Sequence, residues 1–174
     1  MIILLFFVYN VQNLYFTDSK NSKTASSTKD PSVSGWNVYD VERELHRQAE
    51  RNNGECRTWA ATRLRLTRLN EDYSLCKTYP AKIYAPSTAN DQVVAGCASF
   101  RSKNRLPMFQ YVHTNCTSLW RCSQPRVGLR SHRNQMDEMY LRDIHKTNPN
   151  ENKGLYICDC RPYVNALANR GNGK

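Results

Sequence analysis

The chain has 174 residues, 40% of them hydrophobic and 23% charged, with 25 Lys and Arg against 15 Asp and Glu for a net charge of +10. That length suits one domain with a real core rather than two, and the apolar content excludes a chain too polar to fold. The basic balance favours anionic partners, whether nucleic acid, an acidic membrane leaflet or a phosphorylated small molecule, without choosing among them.

The chain opens on a strongly apolar run, Met1 to Val8, and the stretch to Phe16 is then interrupted by Asn10, Gln12 and Asn13. No Lys or Arg precedes the run and no small-x-small cleavage site follows it, as a secretory signal requires. It also falls short of the ~20 residues of a spanning helix. A poor signal or anchor, a strand of something cut away, and a misassigned start are the open readings, the last favoured. Residues 17–33 are rich in Ser, Thr, Lys and Asp, which reads as linker. Residues 1–34 are therefore expected to be disordered or misassigned, and 35–174 to be the domain.

From Val38 to Glu50 the apolar residues Val38, Val41 and Leu45 mark one face of a short helix. Beyond it, Arg63, Arg65 and Arg68 alternate with Leu64, Leu66 and Leu69, and Thr62-Arg63-Leu64 is nearly repeated at Thr67-Arg68-Leu69. This looks like a small duplication or an inserted piece. An α/β texture follows. Ile83 to Pro86 reads as a strand closed by proline, and Val93 to Phe100 as a short helix. Leu106 to His113 and Ser118 to Ser123 read as a hairpin with a polar turn. Met136 to Lys146 carries Met136, Met139, Tyr140 and Ile144 at helical spacing, with Asn134 as the candidate cap and Asn148-Pro149-Asn150 as the stop. Leu155 to Cys158 has the character of a buried strand, and Pro162 opens a helix expected over Tyr163 to Arg170. The last third is therefore helix, strand, helix, a layer in which functional groups gather at the carboxyl ends of strands.

Seven cysteines are spread irregularly, with no C-x2-C pair, and His46, His113, His132 and His145 are scattered, so no metal site is expected. Cys158 and Cys160 flank Asp159 on one strand face and are expected as small buried hydrophobes rather than a disulfide. The body reads as reduced and intracellular.

Three runs are candidates for chemistry. In Arg101-Ser102-Lys103-Asn104-Arg105 an extended backbone would put three cations on one face to grip a phosphate, against the blander reading of a solvated basic turn. In Trp120-Arg121-Cys122-Ser123-Gln124-Pro125 the favoured reading is structural, with Arg121 pairing inside the domain and Pro125 closing the strand. In the run from Asp159 to Asn169 an apolar strand delivers Asp159 and Arg161 to its carboxyl end, beside the positive end of the next helix. Asn165 and Asn169 there share a helical face and suit inositol hydroxyls and phosphate oxygens. The equal alternative is local capping by Asn165 and an Arg161–Asp159 pair. The thiol-phosphatase loop, a cysteine with an arginine six positions later, does not occur in the sequence.

Taken in order, several runs resemble the myotubularin family. They are Gly35-Trp36 with Tyr39-Asp40, Asn70 to Pro80, Phe100 to Pro107, Arg121 to Pro125, Asp137-Glu138 with Tyr140-Leu141, and Asp159 to Asn169. The resemblance covers about residues 35–174, with an apparent insertion around 49–66. It implies an α/β fold, part of a myotubularin-type, cysteine-phosphatase-like domain that ends before the catalytic loop. It implies hydrolysis of the 3-phosphate of phosphatidylinositol 3-phosphate and its 3,5-bisphosphate, with no cofactor. The family's nucleophilic cysteine loop has no counterpart here, so the resemblance implies no catalytic residue in this chain, which is expected to be inactive alone. Of the family's substrate contacts, the matching position is Asn169. The implied partners are phosphoinositide headgroups on anionic membranes and other myotubularin chains, at a cytoplasmic location peripheral to endosomal or similar membranes. The alternative is a non-catalytic lipid-binding or scaffolding relative. A nucleic-acid binder ranks last, because no aromatic stacking platform or groove-reading motif accompanies the charge.

Overall fold

A computed structural model describes residues 40–50, 54–127, 132–150 and 152–164, and the backbone of 2–5. In chain order the elements are β1 (Ile2–Leu5), α1 (Val41–Ala49), α2 (Glu55–Arg63), β2 (Leu64–Thr67), β3 (Ile83–Pro86), α3 (Asp91–Phe100), β4 (Met108–Val112), β5 (Ser118–Cys122), α4 (Gln135–Lys146) and β6 (Tyr156–Asp159). A four-stranded sheet runs β4-β5-β1-β6, and β2 and β3 form a separate antiparallel pair. β4 and β5 are antiparallel, with an extra residue between Phe109 and Tyr111, whereas β1 lies parallel to both β5 and β6. The apolar start of the chain therefore supplies an interior strand at Ile2–Leu5.

Local chemistry accounts for most of these elements. The Asn90 side chain accepts a hydrogen bond from the backbone N–H of Val93 at 2.9 Å, and Asn134 does the same for Asp137 at 3.0 Å, so α3 and α4 both begin on asparagine caps. α1 carries Glu42 and Glu44 in its first turn and His46 and Arg47 in its last, matching the helix dipole. Gly54, with φ of 75°, supplies the left-handed turn that starts α2. The hairpin turn between β4 and β5 closes through His113 N–H to the Thr117 carbonyl at 2.8 Å.

The core lies between the helices and the hairpin. Trp120 and Tyr140 are fully buried, with Val94, Leu106 and Ile144 beside them. Phe109 and Trp120 meet edge to face at 5.7 Å, and Trp59 and Tyr84 each approach Phe109 at 6.3 Å. Such arrangements add specificity to the area they bury. The segment expected to be an inserted piece is built into this core: Cys56, Trp59, Ala60 and Leu64 are all buried. Its near-repeat makes no repeated structure, since Arg63 ends a helix and Arg68 follows a strand.

α3 and α4 pack closely at Gly96, where a Cβ would stand 2.7 Å from the Cβ of Met136. The free edge of β4 is covered by a side chain. Gln48 of α1 accepts from Val112 N–H at 2.9 Å and donates to the Gln110 carbonyl at 3.2 Å, imitating a neighbouring strand.

Two expectations fail at β6. Leu155 to Cys158 was to be a buried strand, yet all four residues of β6 are exposed, Tyr156 at 64% and Ile157 at 58%. Cys158 and Cys160 are exposed as well, not small buried hydrophobes. The reason is tertiary: among the described residues β6 pairs with β1 alone and no helix packs extensively on it, so its apolar side chains stay in solvent. The cysteines are also not all reduced, because Cys56 and Cys116 are joined.

Candidate functional site

The basic run at 101–105 does not form a phosphate grip. Arg101 follows α3 and points inward, 4% exposed at its side chain, where its Nε and Nη2 donate to the two carboxylate oxygens of Asp137 at 2.6 and 2.7 Å. Its Nη1 donates to the Ser123 carbonyl at 3.1 Å. Burial is the largest single effect and works against the guanidinium charge, but the hydrogen bonds to Asp137 together with the neighbouring Cys122, Asp137 and Cys97 outweigh it and raise Arg101 above its ordinary value. Lys103 and Asn104 adopt left-handed backbone, with φ of 53° and 56°, so the run is a tight turn rather than a strand. The three cations therefore do not share a face: Lys103 is exposed, and Arg105 donates to the Thr78 hydroxyl at 2.9 Å.

Arg101 also fixes the end of β5. Ser102 N–H donates to the Gln124 carbonyl and Arg126 N–H to the Phe100 carbonyl, and Arg101 bridges Pro125. Pro125 is thus held against the end of α3, just beyond the strand that stops at Cys122. Arg121 is half-buried on β5 opposite Met108.

The loop from Asn70 to Pro80 is held by one buried side chain. The Asn70 amide donates to the carbonyls of Cys76, Tyr79 and Pro80 at 2.9–3.1 Å, and its Oδ1 accepts from Cys76 N–H at 2.8 Å. Asn70 thereby replaces regular secondary structure across ten residues.

The remaining polar constellation lies at the carboxyl ends of β5 and β6, with β1 between them. Arg161 donates through Nε to both oxygens of Asp159, at 2.8 and 2.9 Å, and through Nη1 to Gln124 Oε1 at 3.0 Å. The Arg161 backbone N–H also reaches Asp159 Oδ1 at 3.0 Å. The hydrogen-bonded guanidinium holds the Asp159 carboxyl below the usual carboxylate range. Arg161 thus pairs with Asp159, the alternative that the residues left open, and it also ties the end of β6 to that of β5. The helix expected from Tyr163 begins at Tyr163 and Val164; Asn165 and Asn169 lie outside the described residues.

Chemically this is a positioning cluster. Cys97 and Cys122 are buried, and burial pushes both thiols up, Cys122 to about 11, so neither is poised as a thiolate. Among the described residues no group of His, Cys, Asp or Glu is placed to hold a metal ion, and no helix is long and apolar enough to cross a membrane. Sequence reasoning missed Gln124, Asp137 and Asn70 as partners. All three stood within the motif runs, but the partners of Asp137 and Gln124 lie 36 to 40 residues away, and no local pattern reports that.

The family model for the myotubularin-like phosphatase domain matches residues 15–174. The chain is 41% identical over 140 residues to myotubularin of Xenopus laevis, covering 80% of this chain and 22% of that protein. It is 39% identical over 140 residues to phosphatidylinositol-3,5-bisphosphate 3-phosphatase MTMR2 of Mus musculus, covering 80% of this chain and 20% of that protein. Myotubularin of Rattus norvegicus is 40% identical over 142 residues, with 81% and 22% covered. The chain spans about a fifth of the length of these relatives.

Proposed function

This chain belongs to the family of myotubularin-like phosphatase domains, and from that premise we propose that it forms the lipid-facing, non-catalytic part of a phosphoinositide 3-phosphatase. The observation that carries this reading is the Gln124–Arg161–Asp159 cluster, which ties together the carboxyl ends of β5 and β6. Those ends are where open α/β sheets bind ligands. The cluster fixes the start of the segment that carries Asn165 and Asn169. Asn169 is the proposed contact to the phosphoinositide headgroup, and the +10 charge favours an anionic membrane surface. A relative named for phosphatidylinositol 3,5-bisphosphate supports a 3-phosphorylated inositol lipid as the ligand. The sequence contains no cysteine followed six positions later by arginine, so the chain itself is proposed to turn over no substrate.

The test is sedimentation of the purified chain with vesicles of phosphatidylcholine alone or doped with phosphatidylinositol 3-phosphate, with phosphate release measured in parallel. The expected result is salt-sensitive binding to the doped vesicles, weakened by Asn169→Ala, and no released phosphate. Equal binding to both vesicles overturns the lipid reading, and measurable turnover overturns the non-catalytic one. Tighter salt-sensitive binding to DNA than to the doped vesicles would point instead to a nucleic-acid partner.

A further inference from the structure

We propose that Cys56 and Cys116 are a reversible dithiol–disulfide couple, a redox modification site that fastens the start of α2 to the turn of the β4–β5 hairpin. The two sulfurs are joined. Their Cα atoms stand 5.4 Å apart although 60 residues separate them in the chain, a spacing that a disulfide bridges without backbone movement.

The reduced state fits the same geometry. Cys56 Sγ lies 3.4 Å from the His113 carbonyl oxygen and 3.6 Å from that of Thr114, so a Cys56 thiol finds acceptors already in place. The turn holding Cys116 does not depend on the cross-link. His113 N–H donates to the Thr117 carbonyl, Cys116 N–H to the His113 carbonyl, and Thr117 N–H to Asn115 Oδ1 at 3.0 Å. Those bonds keep Cys116 in left-handed backbone, φ 59°, a conformation side-chain-bearing residues seldom adopt, and so aim its sulfur at Cys56. Neither state requires the fold to change.

Access is unequal, as exchange requires. Cys56 is 1% exposed, whereas Cys116 is half-buried beside the exposed Thr114 and Asn115. Cys116 is therefore the sulfur that meets an outside reagent, and Cys56 resolves the product. With a glutathione-type disulfide as oxidant, the Cys116 thiolate attacks one glutathione sulfur. The glutathione S–S bond breaks, and one glutathione thiolate leaves and takes up a proton. The Cys56 thiolate then attacks the Cys116 sulfur of the mixed disulfide and expels the second glutathione, which is protonated in turn. Two electrons pass to glutathione and the two thiol protons balance its two new thiols; excess reduced glutathione drives both steps backwards. Cys76, Cys97 and Cys122 are buried and out of reach of such a reagent.

The experiment equilibrates the full chain over a range of reduced-to-oxidised glutathione ratios, blocks remaining thiols with iodoacetamide and maps peptides by mass spectrometry. A peptide pair linked through Cys56 and Cys116 is expected at the oxidising end and its loss at the reducing end. Reduction is expected to lower the melting midpoint by about 10 °C, as opening a long cross-linked loop implies. Cys116→Ser should remove the linked peptide and the redox dependence of the midpoint, while Cys158→Ser/Cys160→Ser leaves both. The proposal is overturned if the linked peptide never forms, if it survives the most reducing ratio, or if Cys116 links instead to Cys158 or Cys160.

Discussion

The α3–α4 layer and the β6 strand are both rich in apolar residues, at helical spacing in α4 and as a short run leading into β6, and they end in opposite environments. Tyr140 and Ile144 of α4 are fully buried, where α4 packs on α3 and β3, while Tyr156 and Ile157 of β6 stand mostly in solvent. Both segments read as apolar elements in the sequence. What differs is the partner: α4 meets α3 across Gly96 and a buried ion pair, and β6, among the described residues, pairs with β1 alone. Periodicity thus marks an element and its apolar side, but burial is set by what packs against that side.

The largest expected effect breaks the well-packed region. Asp137→Ala leaves the Arg101 guanidinium buried without its carboxylate and is expected to cost about 3–5 kcal/mol of stability, read from denaturant melts. The double variant Arg101→Met/Asp137→Leu should recover much of that loss, because no buried charge then remains unpaired. A double variant as unstable as Asp137→Ala would mean that the pair is needed for shape and not only for charge balance.

A smaller effect comes from pH. Cys122 is held near 11 by burial, above its ordinary value of 9.0, so its thiol stays neutral in the folded chain after the unfolded chain has begun to ionise. Its contribution is complete below about pH 9 and is lost as pH rises toward 11, up to about 3 kcal/mol. The melting midpoint should therefore fall across that window, and the fall should shrink in Cys122→Ala relative to that variant's own midpoint at pH 8.

The smallest effect sharpens the other side of the comparison. Ile157→Ser on β6 removes an exposed apolar side chain and is expected to change stability by no more than about 0.5 kcal/mol. The same change should raise the concentration at which the chain begins to associate, measured by light scattering, since an uncovered apolar edge strand invites pairing. A loss above about 2 kcal/mol would show that β6 is covered in solution.

Features governed by near neighbours were legible before the fold was known. The Asn134 cap, the polar turn of the β4–β5 hairpin and the stop at Asn148-Pro149 each depend on a few adjacent residues. The family resemblance was legible for a related reason, since its runs include tertiary anchors such as Asn70, Arg101 and Asp137. The anchoring roles were not legible. Arg101 looked like a surface cation in a basic run, and only a carboxylate 36 residues away turns it inward. Of the candidate site, the meeting of Asp159 and Arg161 was open to inference, while Gln124 as their third member was not, because it arrives from another strand.

By itself the sequence determined the α/β texture, the start of α4 at Asn134, the hairpin, the family and the absence of a C-x5-R phosphate loop. All of these depend on residue type at short spacing, where propensity, capping and motif chemistry act directly. The tertiary structure alone decided that Ile2–Leu5 enters the sheet between β5 and β6, that Arg101 is buried, that β6 is exposed, and that Cys56 lies against Cys116. Each of those joins residues far apart in the chain, and such contacts form only when the whole core closes and the loop entropy between them is overcome.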